Sequence, residues 1–371
     1  MSDGKVNVKK GLEGVVIDTT SVSKVMPESN SLTYKGYPVQ DLAEKCTFED
    51  VAYLLWNNEL PNEAQAKEFK DKERSYRELP DAVLNAFKGM DMEGHPMDIL
   101  RTGVSILGSN DKRTWDTSED VTRDKATHML AKIPTMIAAA YRMKHGKEVI
   151  APDTSLSMAE NFFKMCFGEV PAKEVVKAFD VSLILYAEHS FNASTFTTRV
   201  ITSTTSDIYS AVCGGIGALK GPLHGGANEQ VMYVLKEVGE VEGAKEWMQQ
   251  ALKDKRKVMG FGHRVYKNGD SRVPTMKKYA KKMADFVGEP KWMDISQALE
   301  DVMVKEKNIY PNLDFPAGPA YYMMGFEIDM FTPIFVMSRI TGWSAHILEQ
   351  AANNRIIRPL SEYVGPKERS L

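Results

Sequence analysis

Apolar residues recur every three to four positions along most of the chain, and the rhythm breaks at proline, glycine and short polar clusters. That period belongs to amphipathic helices. Thr47-Phe-Glu-Asp50 has the form of a capping box, and Val51, Leu54 and Leu55 follow at helical spacing until Pro61 stops the segment. Asn62-Glu-Ala-Gln65 opens the next run, EAQAKEFKDKERSYR, made of strong helix formers. Pro96 suits a first helical turn and leads MDILRTGVSILG, which ends on Gly108. The same spacing predicts helices over 118–133, 135–145, 172–188, 227–238, 242–256, 273–286, 292–306 and 328–352. Strand character is confined to GVVIDTTSVSKVM and SLTYKGYPV near the start, where β-branched and aromatic residues alternate with turn residues. The pattern predicts an all-α fold with a small N-terminal β-hairpin.

At about 150 residues per domain, 371 residues imply two domains. The stretch 183–220 is almost uncharged and rich in small residues, as in close-packed buried helices. From about 228 to 310 the chain is charged and alternates helices with glycine-rich turns, and FTPIFVMSRITGWSAHILEQ (331–350) is apolar again. That order predicts a nested pair: a large domain over 1–226, a small one over 227–322, and a return to the large domain over 323–371.

Composition narrows the function classes. Lys plus Arg number 47 and Asp plus Glu 50, a formal charge of −3, so the broad basic surface of a nucleic-acid protein is absent. The three cysteines, Cys46, Cys166 and Cys213, have no CxxC spacing, which excludes a disulfide framework and a thiolate zinc site. No apolar run reaches the ~18 residues of a membrane helix, and the polar start MSDGKVNVKKGLEG has no apolar h-region. A cytoplasmic location is expected.

Two of the seven histidines sit in glycine-framed turns: His224 in Gly221-Pro-Leu-His-Gly-Gly-Ala-Asn228, and His263 in Gly260-Phe-Gly-His-Arg-Val-Tyr266. Glycine lets the backbone approach a ligand closely, so such an imidazole is presented to something, although the glycines also make an ordinary turn. Asp314 lies in PNLDFPAGP between Pro311 and Pro316, where an Asx-turn is the plain alternative. The spacing of these three residues lacks the HxxxH or HExxH pattern of a helical metal site, and no GxSxG nucleophile turn occurs. Gly215-Ile-Gly217 lacks dinucleotide-loop spacing. Arg339 interrupts PIFVMSRITGW and Arg358 lies in IIRPLSEY; a buried arginine needs an anionic partner. The run Lys253-Asp-Lys-Arg-Lys257, followed by Lys267 and Arg272, suits either a solvated helix end or the phosphates of a ligand. Two histidines, one aspartate and several arginines suit acid–base work beside a carbonyl, on a substrate bearing carboxylates.

GPLHGGANE, GFGHRVYKNGDSR, PNLDFPAGP and SRITGWSAHILEQ together resemble citrate synthases, in order and separation, and the likeness runs from GLEGVVIDTTSVS to IIRPLSEYVGP. The resemblance implies a two-domain helical fold that closes over substrate, works as a homodimer and joins the acyl group of acyl-CoA to oxaloacetate. It implies that Asp314 is the base, His224 the donor to the thioester oxygen and His263 the group polarising the oxaloacetate carbonyl. His189, Arg272 and Arg339 are then expected to hold the oxaloacetate carboxylates, with Arg358 reaching the other subunit's site and Arg74 binding substrate as in some relatives. Val258, Met259, Gly260, Phe261 and Gly262 resemble the loop under the CoA adenine, with Lys267 or the basic run near its phosphates. No metal and no cofactor beyond the acyl-CoA substrate is expected.

Tyr186-Ala-Glu-His189-Ser departs from the HADHE often found in citrate-specific bacterial enzymes and resembles the 2-methylcitrate-forming branch, which accepts propionyl-CoA as well as acetyl-CoA. The implied activity is citrate synthesis with tolerance of propionyl-CoA, or dedicated 2-methylcitrate synthesis. Two other classes are a metal-dependent hydrolase built on His224, His263 and Asp314, and a helical scaffold without catalysis.

Overall fold

The computed structural model describes residues 8–266 and 268–370. A three-stranded antiparallel sheet comes first: β1 (Ser23–Met26), β2 (Ser31–Tyr34) and β3 (Tyr37–Pro38), with Ser23 opposite Tyr34 and Tyr34 opposite Tyr37. The expected hairpin is therefore extended by one two-residue strand. Sixteen α-helices follow among the described residues. The first four are α1 (Val39–Lys45), α2 (Phe48–Asn57), α3 (Glu63–Ser75) and α4 (Asp81–Lys88). The predicted caps form: Thr47 and Asp50 exchange side chain-to-backbone hydrogen bonds at α2, and Asn62 and Gln65 do so at α3.

Next come α5 (Pro96–Asn110) and α6 (Glu119–Lys144). The break predicted near 134 is absent, because α6 runs through Pro134. An interior proline costs about 3 kcal/mol, but residues 129–140 are buried without interruption against neighbouring helices, and that packing keeps the axis continuous. Then follow α7 (Met158–Phe167), α8 (Lys173–Tyr186), α9 (Ala193–Ser203) and α10 (Ile208–Leu219). α8 stops at Tyr186, two residues short of the expected end, so His189 lies on the turn between α8 and α9 and not on a core helix.

The remaining helices are α11 (Ala227–Val238), α12 (Val241–Lys253), α13 (Val273–Val287), α14 (Lys291–Lys307), α15 (Asp314–Met323) and α16 (Phe331–Ala352). The proline-bounded segment expected to be a loop instead opens α15. Pro316 falls in its first turn, where backbone N–H groups have no intrahelical acceptor. α11 and α13 pack on α15, α12 packs on α14, and α13 also meets α8. α16 is the centre of the other group, against α2, α6, α8, α9 and α10, and is buried from Phe331 through Ile347. No described helix is long and apolar enough to cross a membrane.

Trp343 on α16 is fully buried; it lies over Gly215 of α10 and donates its indole N–H to Ser194 Oγ at 3.1 Å. Trp343→Ala should destabilise the fold by about 3–5 kcal/mol, measured as a lowered urea midpoint. A loss below about 1 kcal/mol would mean that this contact is dispensable.

Candidate active site

His224 stands in the turn leading into α11, closed by hydrogen bonds from the His224 and Gly226 N–H groups to the Gly221 carbonyl. Its Nε2 accepts the backbone N–H of Ser194 at 3.2 Å and lies 2.8 Å from Ser194 Oγ. A backbone N–H only donates, so Nε2 is unprotonated and the ring hydrogen resides on Nδ1. Ser194 belongs to the first turn of α9, whose partial positive charge disfavours an imidazolium there. Burial, with the Arg339 charge adding to it, pushes the His224 pKa down to about 3.

His263 is fixed in the opposite sense. Its Nδ1 accepts the N–H groups of Val265 at 3.0 Å and Tyr266 at 3.2 Å, leaving an Nε2–H to donate. Burial and the nearby Arg272 bring its pKa down to about 4, with Asp270 opposing. The loop before it is tied to the approach to α15: the Gly262 N–H donates to the Tyr310 carbonyl at 2.8 Å, and the Asn312 N–H to the Gly260 carbonyl at 2.9 Å. Asn312 Nδ2 adds a bond to the Gly262 carbonyl, and the Phe261 ring packs on Phe315 with centroids 4.4 Å apart. Gly260 has φ +86°, and a Cβ there would lie 2.5 Å from Val231, so position 260 admits only glycine without rearrangement.

Asp314 is the first residue of α15. Its Oδ1 accepts the Tyr186 hydroxyl at 2.7 Å, and its own N–H donates to Asn312 Oδ1 at 3.1 Å. Burial raises its pKa to about 6, against the opposing pull of the Tyr186 hydrogen bond and the Arg272 charge. The carboxylate thus sits close to neutral pH, as a general base requires.

Arg272 caps α13 and makes a two-pronged pair with Asp270, Nε–Oδ1 2.9 Å and Nη2–Oδ2 2.6 Å. Asp270 Oδ2 also accepts the Leu313 N–H at 3.2 Å, so one buried carboxylate joins the start of α13 to the residue before Asp314. Burial works against that charge, but Arg272 outweighs it and holds the Asp270 pKa below its ordinary value. Arg339 donates Nε–H to the Tyr186 carbonyl at 2.7 Å and lies 4.7 Å from the Phe335 ring. Burial draws its pKa down to about 10, with Glu188 opposing. His189 is buried with its ring 4.9 Å from that of His263, and burial pushes its pKa well below the usual imidazole value.

Two buried polar atoms at this site have no partner among the described residues, Arg339 Nη1 and His189 Nε2. A buried unpaired donor costs about 1–3 kcal/mol, so the cleft is built for a ligand that supplies anionic oxygen. Asn228, one turn after His224, is likewise buried with both side-chain amide atoms unpartnered.

The fold therefore links His189, His263, Arg272, Arg339 and Asp314 through Tyr186, Asp270 and ring contacts. His224 joins them through Phe335, 6.3 Å from its ring and 4.1 Å from that of Tyr186. Val258, Met259, Gly260, Phe261 and Gly262 form the loop bound to Asn312, with Val258 buried. Arg74 stays apart on α3, and among the described residues its side chain shares no hydrogen bond or ion pair with any of these groups. Arg358 lies in the exposed tail after α16, and among the described residues its side chain hydrogen-bonds only to its neighbour's carbonyl, Pro359 O at 3.5 Å. Lys267 lies outside the described residues. Among the described residues no three His, Cys, Asp or Glu side chains gather as a metal site. Motif reading missed Asp270, Ser194, Asn312 and the Tyr186–Asp314 contact. Asp270 alone left a signal, standing two residues before Arg272 in GDSR.

Residues 11–360 match the family model described as citrate synthase, C-terminal domain. The chain is 55% identical over 364 residues to a citrate synthase of Mycolicibacterium smegmatis, covering 98% of this chain and 97% of the relative. It is 54% identical over 369 residues to a 2-methylcitrate synthase of Mycobacterium tuberculosis, covering 100% of this chain and 93% of the relative. Its fold matches, at TM-score 0.93 and 34% identity, the citrate synthase of the archaeon Thermoplasma acidophilum in ternary complex with carboxymethyl coenzyme A and oxaloacetate, covering 98% of each chain. With His189, His224, His263, Asp314, Arg272 and Arg339 brought together on this fold, the chain belongs to the citrate synthase family and is an enzyme of that type.

Proposed function

We propose that this enzyme condenses acetyl-CoA with oxaloacetate, hydrolyses the citryl-CoA formed to citrate and CoA, and also accepts propionyl-CoA. The reading rests on the fixed direction of two ring hydrogens, on His224 and His263, and on the Asp314 carboxylate beside them. Asp314 takes a proton from the acyl carbon beside the thioester. His224 donates from Nδ1 to the thioester oxygen, where negative charge grows as that proton leaves. His263 donates from Nε2 to the oxaloacetate carbonyl, making its carbon receptive to the new bond. Both donors stay neutral because burial and the nearby arginines disfavour an imidazolium, and because they are placed before the reaction begins no reorganisation accompanies the charge. Arg272, Arg339 and His189 hold the carboxylates of oxaloacetate, Arg339 Nη1 and His189 Nε2 being the unpaired atoms.

The loop Val258–Gly262 receives the CoA adenine, with Lys267 or the run 253–257 serving the phosphates. Residues 227–322 act as a small domain that closes on the large one and excludes water. The chain works as a homodimer. After α16 the tail is irregular and exposes Ile356, Leu360, Tyr363 and Val364, an apolar surface suited to a second copy whose site receives Arg358. A cytoplasmic place in the tricarboxylic acid cycle accords with this chemistry.

Dedicated 2-methylcitrate synthesis is the second reading. Tyr186 favours it, because the residue that departs from the citrate-specific pattern touches the base itself. One methylene in an apolar pocket is worth about 1–3 kcal/mol, so both donors should be turned over. Thiol release with oxaloacetate and either acyl-CoA measures this, the two kcat/KM values being expected within about tenfold of each other. Release with neither acyl-CoA would refute the reading. A larger preference for propionyl-CoA selects the second one.

Asp314→Asn should lower kcat by about 10³-fold while leaving oxaloacetate affinity nearly intact. In the unmodified enzyme, kcat/KM should climb with pH and level off above about 6. Because the folded pKa lies above the ordinary value of 3.8, ionising Asp314 weakens the fold as pH rises through that interval. The same substitution should therefore raise the melting temperature at pH 8 and lose that gain near pH 4. A variant that keeps most of its rate would show that Asp314 is not the base.

If Arg358 serves the partner's site, mixing inactive Asp314→Asn and Arg358→Ala chains restores activity. Half the dimers are then mixed and one of their two sites is intact, so about a quarter of the wild-type rate should return on subunit exchange. No recovery would mean that each site is complete within one chain.

A further inference from the structure

Glu188, the residue before His189, is fully buried, and none of the roles above uses it. Its Oε1 accepts hydrogen bonds from Ser23 Oγ at 2.8 Å, from the Ser190 N–H, and from His346 Nε2 at 2.9 Å. Behind His346 stands Arg199, also buried, whose Nη1 lies 3.2 Å from His346 Nδ1. A guanidinium has only donors, so His346 Nδ1 accepts and its hydrogen points from Nε2 toward Glu188. Arg199 is anchored in turn by Glu349 at 2.8 Å, Asp18 at 3.1 Å and the Phe191 ring at 4.5 Å. The direction Arg199 to His346 to Glu188 is thereby fixed.

The other carboxylate oxygen, Oε2, is buried without a partner. On α16, Arg339, Gly342 and His346 follow one another at helical spacing and share a face. A Cβ on Gly342 would lie 2.3 Å from Glu188 Oε2 and 2.4 Å from the Ala187 carbonyl. The carboxylate thus sits in the notch over Gly342, between Arg339 and His346. It also grips the sharp turn that carries His189, where Ser190 has φ +51°.

We propose that Glu188, aimed by His346 and Arg199, is a positioning residue for Arg339 and His189, the groups that hold the oxaloacetate carboxylates. This rests on the function proposed above. The carboxylate opposes the Arg339 charge without occupying its free Nη1, and it sets the turn from which His189 projects. The substrate dianion then meets groups already in place, and part of the ordering cost of binding is removed beforehand. Arg272 has the same kind of support from Asp270, but there the pair is bonded directly. Among the described residues Arg339 has no directly bonded carboxylate, which leaves it open to the ligand.

The test compares Glu188→Gln with Ser23→Ala, which removes one hydrogen bond from the same oxygen and no charge. For Glu188→Gln the KM for oxaloacetate should rise about tenfold or more, with kcat and the KM for acyl-CoA within about threefold of wild type. Glu188→Asp should recover part of the oxaloacetate affinity, and Ser23→Ala should alter the melting temperature more than any KM. An unchanged oxaloacetate KM in folded Glu188→Gln would overturn the proposal. So would a parallel loss in kcat and both KM values, the mark of a merely structural role. If Glu188→Gln does not fold, His346→Asn, whose shorter amide cannot span Arg199 and Glu188, should raise the oxaloacetate KM alone by about threefold; no change there overturns the proposal. Thiol release by the unmodified enzyme is measured in parallel, so failure of the function and failure of this inference give different results.

Discussion

The cleft concentrates positive charge in a protein interior, where an unpaired ion is expensive. Arg272 meets that constraint with Asp270, held at two points and itself fastened to the Leu313 N–H. Arg339 meets it only in part, through the Tyr186 carbonyl and the Phe335 face, and one of its nitrogens stays bare. The remaining positive field falls on buried His189 and on half-buried His224 and His263, and reinforces what loss of water already does to them. Neutral imidazoles and a carboxylate poised near neutrality are first of all consequences of burial, which the guanidinium groups reinforce at the histidines and oppose at Asp314.

Packing supplies the other half of the design. The site is assembled where α8, α9, α11, α13, α15 and α16 converge; His224 and Asp314 stand at helix starts, while His263 lies in the loop tied to the approach to α15. His224 depends on that placement for its protonation, through the first turn of α9. The glycine at 260 lets the loop before His263 lie against Phe315 and Val231, so that loop and the segment carrying Asp314 are packed together. A single ladder of backbone bonds, Gly262 to Tyr310 and Asn312 to Gly260, holds that relation.

Local patterning was enough for most helices, their caps and the small sheet. It failed where tertiary packing overrides local preference. Pro134 stays inside α6 because its neighbours bury that stretch on every side. The prolines around Asp314 read as loop punctuation, yet a proline in a first helical turn costs little, and α15 begins there. Asp270 and Ser194 are unremarkable in the chain, because what makes them important is a partner 43 and 30 residues away, respectively.

By itself the sequence determined an all-α chain, the two glycine-framed histidines, the proline-flanked aspartate and the family to which they belong, because these are properties of residue type and spacing. Tertiary structure decided which ring nitrogen carries each hydrogen and which arginine is left partly unpaired. It also decided that Tyr186 touches Asp314 while Arg74 stands outside the cleft. Those outcomes depend on distances between segments remote in the chain and on the loss of water around them, and neither quantity is written in local order.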